Sequence, residues 1–378
     1  SDSLFSQLGM MGDHELAVVT SRALRGRNLE SLEGHVNDEK KIAVVSGFKP
    51  SGSFHFGHML TSNTVAYFQK AGLQIFVPVA DLECRFDNKK DLNEWKYWAA
   101  DNLLDWGAAG LNLDAAHVYL QSEEGRVGTL AYMLARELTF DKAADIYGME
   151  TLVNAFPFQF AGLTQVGDIL LPQQNDFGND HSFMLSGPDQ DGHMQMTMYL
   201  ARTSLNKEVD LSGIGTIPSA LYIPHVRGFK PKSPGEEPKM SSSFPQGTFY
   251  LGPGPSYMTL SERIEDCESK VLSASDAEDP IGVCVNDIVT NITPFSHLFT
   301  ENVDTLVQNF HDFLPELLTT HYERRREILV YAMRRTEGLD ASAPSFWTVP
   351  ESAIVSQTNP LDTQWYDLVA ASSGRIKP

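Results

Sequence analysis

The apolar and polar positions of the chain follow two periods, which alternate over about the first two hundred residues. Short apolar runs rich in β-branched residues cover positions 41–46 and 73–80, a pattern typical of strands buried on both faces of a sheet. Between and after these runs, apolar residues recur at helical spacing over 57–71 and 95–106. Strands that alternate with helices in this way predict an α/β fold with a doubly wound parallel sheet, a Rossmann-like domain.

A second, mostly helical region follows the alternating one. Further strands are predicted at 117–121 and 184–186, and further helices at 14–32, 128–146, 157–171, 194–205, 301–313 and 317–335. A stretch rich in Pro, Gly, Ser and Lys at 228–254 predicts a long functional loop. We therefore expect three parts. They are an N-terminal helical extension (1–40), the Rossmann-like domain (41–255) and a mostly α-helical C-terminal domain (256–378).

Composition and charge change this picture only in part. The chain has 378 residues, 42% of them apolar, which predicts a globular protein with a sizeable core. With 49 acidic residues against 29 lysines and arginines, the net charge is −20. This charge taken alone disfavours a polyanionic partner, and it also suits a protein that works at high salt.

Other sequence features bear on the setting of the protein. No window of about eighteen uninterrupted apolar residues predicts a membrane span. The first ten residues lack the pattern of a secretory signal. The three cysteines lie far apart without a CxxC pair, which argues against disulfides or a zinc site. They favour a reducing, cytoplasmic setting.

The first candidate site follows the strand predicted at 41–46 and opens the next helix. Its sequence is Pro50-Ser51-Gly52-Ser53-Phe54-His55-Phe56-Gly57-His58. A helix that starts at the carboxyl end of a parallel strand offers free N–H groups and a positive dipole end to a phosphate. His55 and His58 add donors, and Gly57 allows an adenine ring to approach the backbone closely. Either histidine could instead be a structural residue of the helix start, and HxGH alone has little specificity.

The second candidate site lies inside the long loop, at Pro238-Lys239-Met240-Ser241-Ser242-Ser243. A lysine beside a run of hydroxyl groups can hold a pyrophosphate leaving group through charge-assisted hydrogen bonds. A solvated serine-rich loop without such a role explains the motif equally well when it is taken alone. The two motifs together are far more specific than either one.

Together the motifs resemble the HIGH and KMSKS motifs of class I aminoacyl-tRNA synthetases, in the same order along the chain. The segment 163–170 (LTQVGDIL) is similar to the helix that lines the amino-acid pocket in the tyrosine and tryptophan members of that class. The segment 186–193 (SGPDQDGH) is similar to their G-x-DQ-x-x-H segment. Its DQD form, together with 138–148 and 321–326, looks most like the archaeal and eukaryotic tryptophan enzymes.

This resemblance implies a two-step reaction. L-tryptophan is activated with ATP, which is accompanied by Mg²⁺, and the activated tryptophan is then transferred to tRNA(Trp). The first step needs positioned donors more than proton transfer, which implies catalytic roles for His55, His58 and Lys239. No metal bound by the protein itself is implied. A homodimer, a connective insertion at about 95–180 and an anticodon-binding C-terminal domain are also implied.

The resemblance assigns the remaining site residues to two groups. The implied ATP-binding residues are Pro50, Ser51, Gly52, Gly57, Met240, Ser241, Ser242 and Ser243, and the implied amino-acid-binding residues are Val45, Glu83, Gln165, Asp168 and Gln190. A buried carboxylate such as Asp168 needs a donor, and an indole N–H or a phenol hydroxyl would serve, although a satisfied core carboxylate is the alternative. Gln165 and Gln190 each offer both a donor and an acceptor to the ammonium or carboxylate of the ligand. Glu83 would pair with the ammonium or form a surface salt bridge.

Two further segments have open interpretations. His193 either belongs to the site or caps the helix predicted to begin at 194. The arginines 324–326 form either a solvated helix face or a contact with tRNA.

Three positions depart from the family pattern. Ser242 stands where KMSKS has its second lysine, Val45 where an aromatic residue often contacts the ligand, and Pro78 where the eukaryotic tryptophan enzymes have a glutamine. The last two changes remove polar groups from the pocket, and the loss of a hydroxyl partner disfavours tyrosine more than tryptophan. A tyrosyl-tRNA synthetase remains the first alternative. A non-charging paralogue that binds tRNA or another partner remains the second.

Overall fold

The computed structural model describes most of the chain between residues 25 and 336. The described residues are 25–87, 92–154, 156–206, 213–233, 235, 237–242, 244–254, 258–272 and 280–336. The first part of the helix predicted at 14–32 lies outside these ranges, as do Ser243 and the C-terminal tail from 337 onward. The division of the chain into three domains stays a prediction.

Six strands form one sheet. They are β1 (Arg25–Arg27), β2 (Ile42–Val45), β3 (Gln74–Val79), β4 (Ala116–Leu120), β5 (His181–Ser186) and β6 (Ser219–Tyr222). Their order across the sheet is β1-β6-β5-β2-β3-β4, and all neighbours pair in parallel except β1, which is antiparallel to β6. The predicted doubly wound parallel sheet is confirmed, with one antiparallel strand added at its edge. The strand order reverses between β2 and β5, and ligands bind at such a switch point in open α/β sheets.

The central strand β2 is buried on both faces, which explains why its sequence is a continuous apolar run rather than an alternating one. Ala43 and Val44 are both 0% exposed, yet they belong to hydrophobic clusters on opposite faces of the sheet. The parallel register places Val44 opposite Ile75 of β3 and opposite Phe183 of β5. The end of β2 is therefore held from both sides before the chain enters the first motif.

The helices flank this sheet and continue beyond it. In the described part of the chain they are α1 (Leu29–Asn37), α2 (Phe56–Lys70), α3 (Asp81–Asp87), α4 (Leu92–Ala108), α5 (Gly125–Ala135), α6 (Phe140–Tyr147), α7 (Met149–Asn154), α8 (Phe156–Leu170), α9 (Asp191–Leu205), α10 (Leu260–Leu272), α11 (Pro280–Asn291) and α12 (Val303–Thr336). Short 3₁₀ helices lie at Leu171–Gln173, Pro188–Gln190, Pro245–Gly247 and Thr293–Leu298. The helices predicted at 57–71, 95–106, 157–171 and 194–205 correspond to α2, α4, α8 and α9.

Local departures from the predicted elements have identifiable causes. The helix predicted over 14–32 is wrong at 25–27, where β1 lies. Gly26 allows this strand to approach β6, because a Cβ there would lie 2.3 Å from the carbonyl oxygen of Ala220. The helix predicted over 128–146 is two helices, and the hydroxyl of Thr139 caps the second by accepting the N–H of Lys142 at 3.2 Å.

The C-terminal helix α12 is continuous, although two separate helices are predicted for that region. Pro315 lies inside it and removes one backbone hydrogen bond. Phe310, Leu314 and Leu318 are each 0% exposed on one side of the helix. This continuous apolar stripe holds both halves of the helix against the same core, so the proline does not break it.

The start of α2 is embedded in aromatic side chains from later parts of the chain. Phe56 is 0% exposed, and its ring centroid lies 6.4 Å from that of Phe249, 6.1 Å from that of Phe295 and 5.8 Å from that of Phe310. The helix start that carries the histidines therefore packs against the C-terminal helices. No helix within the described ranges is both long and apolar enough to cross a membrane.

Candidate active site

A cavity of about 490 Å³ lies at the carboxyl ends of the parallel strands, at the point where the strand order reverses. Most of the site residues expected from the sequence line this one space. They are Val45, Ser51, His55, Gly57, His58, Glu83, Gln165, Asp168, Gln190, Lys239, Met240, Ser241 and Ser242. Pro50 and Gly52 do not line it. Folding thus brings the two motifs and the proposed amino-acid pocket together.

The two histidines of the first motif cap the start of α2 as a stacked pair. His55 is the N-cap residue, and its Nδ1 accepts the N–H of Gly57 at 3.1 Å. The Nδ1 of His58 accepts the N–H of His55 at 3.3 Å, and the ring centroids are 3.8 Å apart. Because both Nδ1 atoms accept, the proton of each neutral ring is on Nε2. Each ring therefore has one N–H left to donate to a ligand.

The environment keeps both rings neutral. Burial lowers the pKa of His55 well below its ordinary value, and the nearby His58 and Lys239 lower it further. Burial also lowers the pKa of His58 to about 4, although Asp105 acts in the opposite direction. At neutral pH the pair can donate hydrogen bonds but carries no positive charge, so Lys239 is the cation that the two motifs bring to the cavity.

The serine-rich loop is joined to the first motif by a hydrogen bond from Ser242, and further hydrogen bonds hold the loop itself. The hydroxyl of Ser242 donates to the carbonyl oxygen of Ser53 at 3.0 Å, and the hydroxyl of Tyr250 donates to the carbonyl oxygen of Ser242 at 3.0 Å. Gly52 permits this approach, because a Cβ there would lie 2.7 Å from the Cβ of Ser242. Gly52 is therefore not part of the cavity wall, but it allows the two motifs to lie close to each other. Ser241 is held in the same way, through its N–H to the hydroxyl of Thr248 at 3.0 Å.

Lys239 has an anionic partner within the protein. Its Nζ lies 2.9 Å from Oδ2 of Asp189, the first aspartate of the DQD segment, and Nε2 of His225 lies 3.2 Å from the other oxygen. Burial alone would raise the pKa of Asp189, but the hydrogen bond from His225 and the charge of Lys239 outweigh it and lower that pKa. A phosphate that binds Lys239 must therefore compete with a fully ionised carboxylate.

Asp168 of α8 forms the deepest polar group of the cavity, at 2% exposure. Its Oδ1 accepts the hydroxyl of Tyr119 at 2.9 Å, and its Oδ2 accepts Nε2 of Gln121 at 2.6 Å. Burial raises the pKa of Asp168 to about 7, against the effect of these two hydrogen bonds. The expectation that this carboxylate needs donors is thus met within the protein itself, by two residues at the end of β4.

The other proposed amino-acid-binding residues also have partners. The carboxylate of Glu83 accepts Nζ of Lys49 at 3.0 Å, so Glu83 forms a salt bridge inside the cavity lining rather than on the outer surface. Gln165 Nε2 donates to Oε1 of Gln190 at 3.2 Å, which leaves the amide of Gln190 as a donor. Lys49 is a second cation of this cavity.

His193 and Arg325 have roles that their sequence context did not indicate. His193 lies within α9, and its Nδ1 is 2.9 Å from the hydroxyl of Tyr147, so it does not cap the helix. Arg325 is only 8% exposed and pairs with both Asp101 and Asp105, the second at 2.6 Å. The expectation of a solvated or tRNA-binding face is therefore wrong for Arg325, although its neighbours 324 and 326 are exposed.

The ion pairs of Arg325 form a buried network behind the histidines. Asp105 also accepts Nε2 of His321 at 2.8 Å, and the ring of His321 stacks on Phe54 of the first motif with centroids 6.1 Å apart. Burial alone would raise the pKa of Asp105, but Arg325 and His321 outweigh it and lower that pKa. The network joins α4 and α12 directly behind the start of α2.

Sequence reasoning missed Tyr119, Gln121, Lys49 and Asp189 as members of the site. Two of these residues could have been found from their position in the sequence. Gln121 follows β4 immediately and Lys49 lies in the turn after β2, so both are at the carboxyl ends of parallel strands, where ligands bind. Among the described residues, no group of three or more His, Cys, Asp or Glu side chains is arranged to hold a metal ion.

The fold and this cavity together have the construction of a class I aminoacyl-tRNA synthetase: a doubly wound sheet, a histidine-bearing helix start and a lysine–serine loop fastened to it. The family described as tRNA synthetases class I (W and Y) matches residues 37–319. This match covers most of the chain, and the protein belongs to that family.

Individual relatives agree with this assignment. The tryptophan–tRNA ligase of Hyperthermus butylicus is 34% identical over 233 residues, which cover 60% of this chain and 57% of the relative. That of Methanopyrus kandleri is 32% identical over 233 residues, which cover 61% and 58%. The chain thus spans less than two thirds of the length of these curated relatives. The crystal structure of tryptophanyl-tRNA synthetase from Aeropyrum pernix K1 has a TM-score of 0.69 at 24% identity, covering 86% of this chain and 88% of that one, which shows a shared fold.

Proposed function

We propose that this protein is a tryptophan–tRNA ligase, which activates L-tryptophan with ATP and transfers it to tRNA(Trp). The observation that carries the proposal is the single cavity in which the histidine pair, Lys239 and the buried Asp168 meet. The family membership supplies the reaction class. The curated relatives from Hyperthermus butylicus and Methanopyrus kandleri are named tryptophan–tRNA ligases, and these names supply the amino acid.

In the first step, an oxygen of the tryptophan carboxylate attacks the α-phosphorus of ATP. A new P–O bond forms to the carboxylate, the bond to the bridging oxygen breaks, and pyrophosphate leaves with that electron pair. The Nε2–H groups of His55 and His58 would donate to the phosphate oxygens from the start of α2, where the helix dipole adds a favourable potential. Lys239 would leave Asp189 and bind the departing pyrophosphate. Mg²⁺ enters with ATP as part of the substrate.

The amino-acid end of the cavity would hold tryptophan by its three polar groups. Glu83 and Gln190 are the proposed partners of the ammonium and carboxylate, and Gln165 holds the amide of Gln190 in place. Val45 supplies an apolar wall beside the indole. Asp168 and its partners lie where the indole N–H would end.

The second step and the assembly belong to the same proposal. The terminal ribose hydroxyl of tRNA would attack the carbonyl carbon of the adenylate, which releases AMP. A homodimer is supported by large apolar side chains that remain exposed on α5, α6, α7 and α8. They are Tyr132, Phe140, Met149 and Phe160, exposed by 84%, 52%, 52% and 61%. A cytoplasmic location is supported by three cysteines, all buried as free thiols.

The test is amino-acid-dependent exchange between ATP and pyrophosphate, with tryptophan, tyrosine and phenylalanine compared at low and high salt. Exchange with tryptophan alone is the expected result. Exchange with tyrosine alone would keep the mechanism and reject the pocket assignment. Absence of exchange with all three amino acids at every salt concentration would reject the enzyme in favour of a non-charging paralogue.

A further inference from the structure

The amide of Gln121 occupies a distinctive position in the cavity wall. Gln121 follows the last residue of β4, and its N–H donates to the carbonyl oxygen of Val79, so its backbone continues the β3–β4 ladder. Tyr119 lies two residues earlier, and side chains two apart in a strand project to the same face. Both therefore reach the carboxylate of Asp168 on α8. Gln121 is 8% exposed and lines the cavity.

Asp168 determines the orientation of the side-chain amide of Gln121. Nε2 donates to Oδ2 of Asp168 at 2.6 Å. The reversed amide would place two oxygen acceptors at that same short distance, which is repulsive when Asp168 is ionised. The amide oxygen Oε1 is therefore directed away from Asp168. Among the described residues, this buried oxygen has no hydrogen-bond partner.

A buried acceptor without a partner calls for a donor from a ligand. The ammonium of the amino acid is less suited to it, because an ammonium has three donors and the same cavity offers the carboxylate of Glu83. A side-chain N–H has a single donor and no charge, which matches one neutral carbonyl oxygen beside the apolar lining of Val45 and Ile169.

We propose that Oε1 of Gln121 accepts the indole N–H of the bound tryptophan, and that Asp168 is the positioning residue that holds the amide in its acceptor orientation. This inference rests on the proposed function and deepens it. It assigns recognition of the indole N–H to the end of β4 rather than to the carboxylate on α8. Phenylalanine, which has no donor, would leave Oε1 unpaired and be rejected.

The test compares tryptophan with 3-(benzothiophen-3-yl)alanine, in which sulfur replaces the indole N–H and the ring shape is kept. The wild-type protein should prefer tryptophan by about tenfold or more in kcat/KM for ATP–pyrophosphate exchange, because the analogue leaves a buried acceptor unpaired. Gln121→Met should reduce that preference to near unity, mainly by weakening the use of tryptophan. The KM for ATP should not change.

Two further variants separate a direct contact from a structural role. Asp168→Leu removes the acceptor that fixes the amide of Gln121. Either the oxygen or Nε2 of Gln121 can then face the ligand, and the preference should fall. Tyr119→Phe removes a donor to Asp168 but leaves Gln121 held, so it should keep the wild-type preference. Gln165→Met affects the part of the site proposed to bind the ammonium and carboxylate. Tryptophan and the sulfur analogue share these groups, so this variant should also keep the wild-type preference.

The outcomes distinguish the two proposals. If wild-type protein uses tryptophan but Gln121→Met keeps the full preference over the sulfur analogue, the assignment to Gln121 is wrong while the enzyme assignment stands. If Asp168→Leu alone loses the preference while Gln121→Met keeps it, Asp168 itself binds the indole N–H. Absence of exchange in the wild-type protein would reject the proposed function itself. Calorimetric titration of tryptophan and of the sulfur analogue into each folded variant gives the same comparison as a ratio of Kd values, and Gln121→Leu takes the place of Gln121→Met should the methionine variant fail to fold.

Discussion

Replacement of Asp168 by asparagine should stabilise the folded protein at alkaline pH, although it removes a charged residue from the candidate site. Burial raises the pKa of this carboxyl to about 7 in the folded chain, against 3.8 as the ordinary value. The unfolded chain therefore releases its proton at lower pH than the folded chain does. Between these two values, each increase in pH favours the unfolded state, so the contribution of Asp168 to stability is lost as the pH rises.

The magnitude follows from the two pKa values. At 1.36 kcal/mol for each tenfold change in a proton equilibrium, a pKa of about 7 against 3.8 makes folding at pH 8 roughly 4 kcal/mol less favourable than folding with a permanently neutral group. At pH 5 the same calculation gives a destabilisation less than about half as large as at pH 8. Asparagine keeps both hydrogen bonds, because its oxygen can accept from Tyr119 while its amide donates to a reversed Gln121.

The assay is urea unfolding of wild type and Asp168→Asn at pH 5 and pH 8. The variant should be the more stable protein at pH 8, by about 2 to 4 kcal/mol, with a clearly smaller difference at pH 5. Asp191→Asn is a control for which the opposite change in stability is expected. The hydrogen bond from Arg27 lowers the pKa of Asp191 to about 2, so removal of this carboxylate should destabilise the folded protein at pH 8. Equal differences at the two pH values, or a destabilised Asp168→Asn at pH 8, would refute the reasoning.

Three further predictions concern the lysine–serine loop, the buried ion pairs and the contact between the motifs. Lys239→Ala should lower the rate of adenylate formation by at least tenfold with an unchanged unfolding curve, and unchanged exchange would remove the loop from the mechanism. Arg325→Met leaves the buried carboxylates of Asp101 and Asp105 without this cation, so it should lower the free energy of unfolding by about 3 to 5 kcal/mol. A decrease below about 1 kcal/mol, measured by urea unfolding, would contradict the importance of these ion pairs. Gly52→Ala should raise the KM for ATP, since its Cβ would lie 2.7 Å from that of Ser242, and a wild-type KM would show that the loop need not approach so closely.

The class of this protein could be predicted because its signals are local. The HxGH motif of 55–58 and the lysine–serine run of 239–243 each occupy a few consecutive residues, and their order along the chain adds specificity. The buried strands β2 and β3 were also predictable, because parallel strands covered on both faces have near-continuous apolar runs. The edge strand β1 was not predicted, since Gly26 and its neighbours have no apolar run and the strand pairs only through contact with β6. The strand β6 was not predicted either, although its short apolar run at 220–222 is buried and pairs with β5.

The sequence by itself determined most of the candidate residues that line the cavity, because those side chains lie at the ends of predictable strands and helices. Only the tertiary structure decided the charge, the tautomer and the hydrogen-bond partners of these side chains. The partners of Asp168 lie 47 and 49 residues away, and those of Arg325 lie 220 and 224 residues away. The burial that keeps His55 neutral likewise comes from the way the chain packs. Charge, tautomer and amide orientation depend on these distant neighbours, and no local pattern in a single chain encodes them.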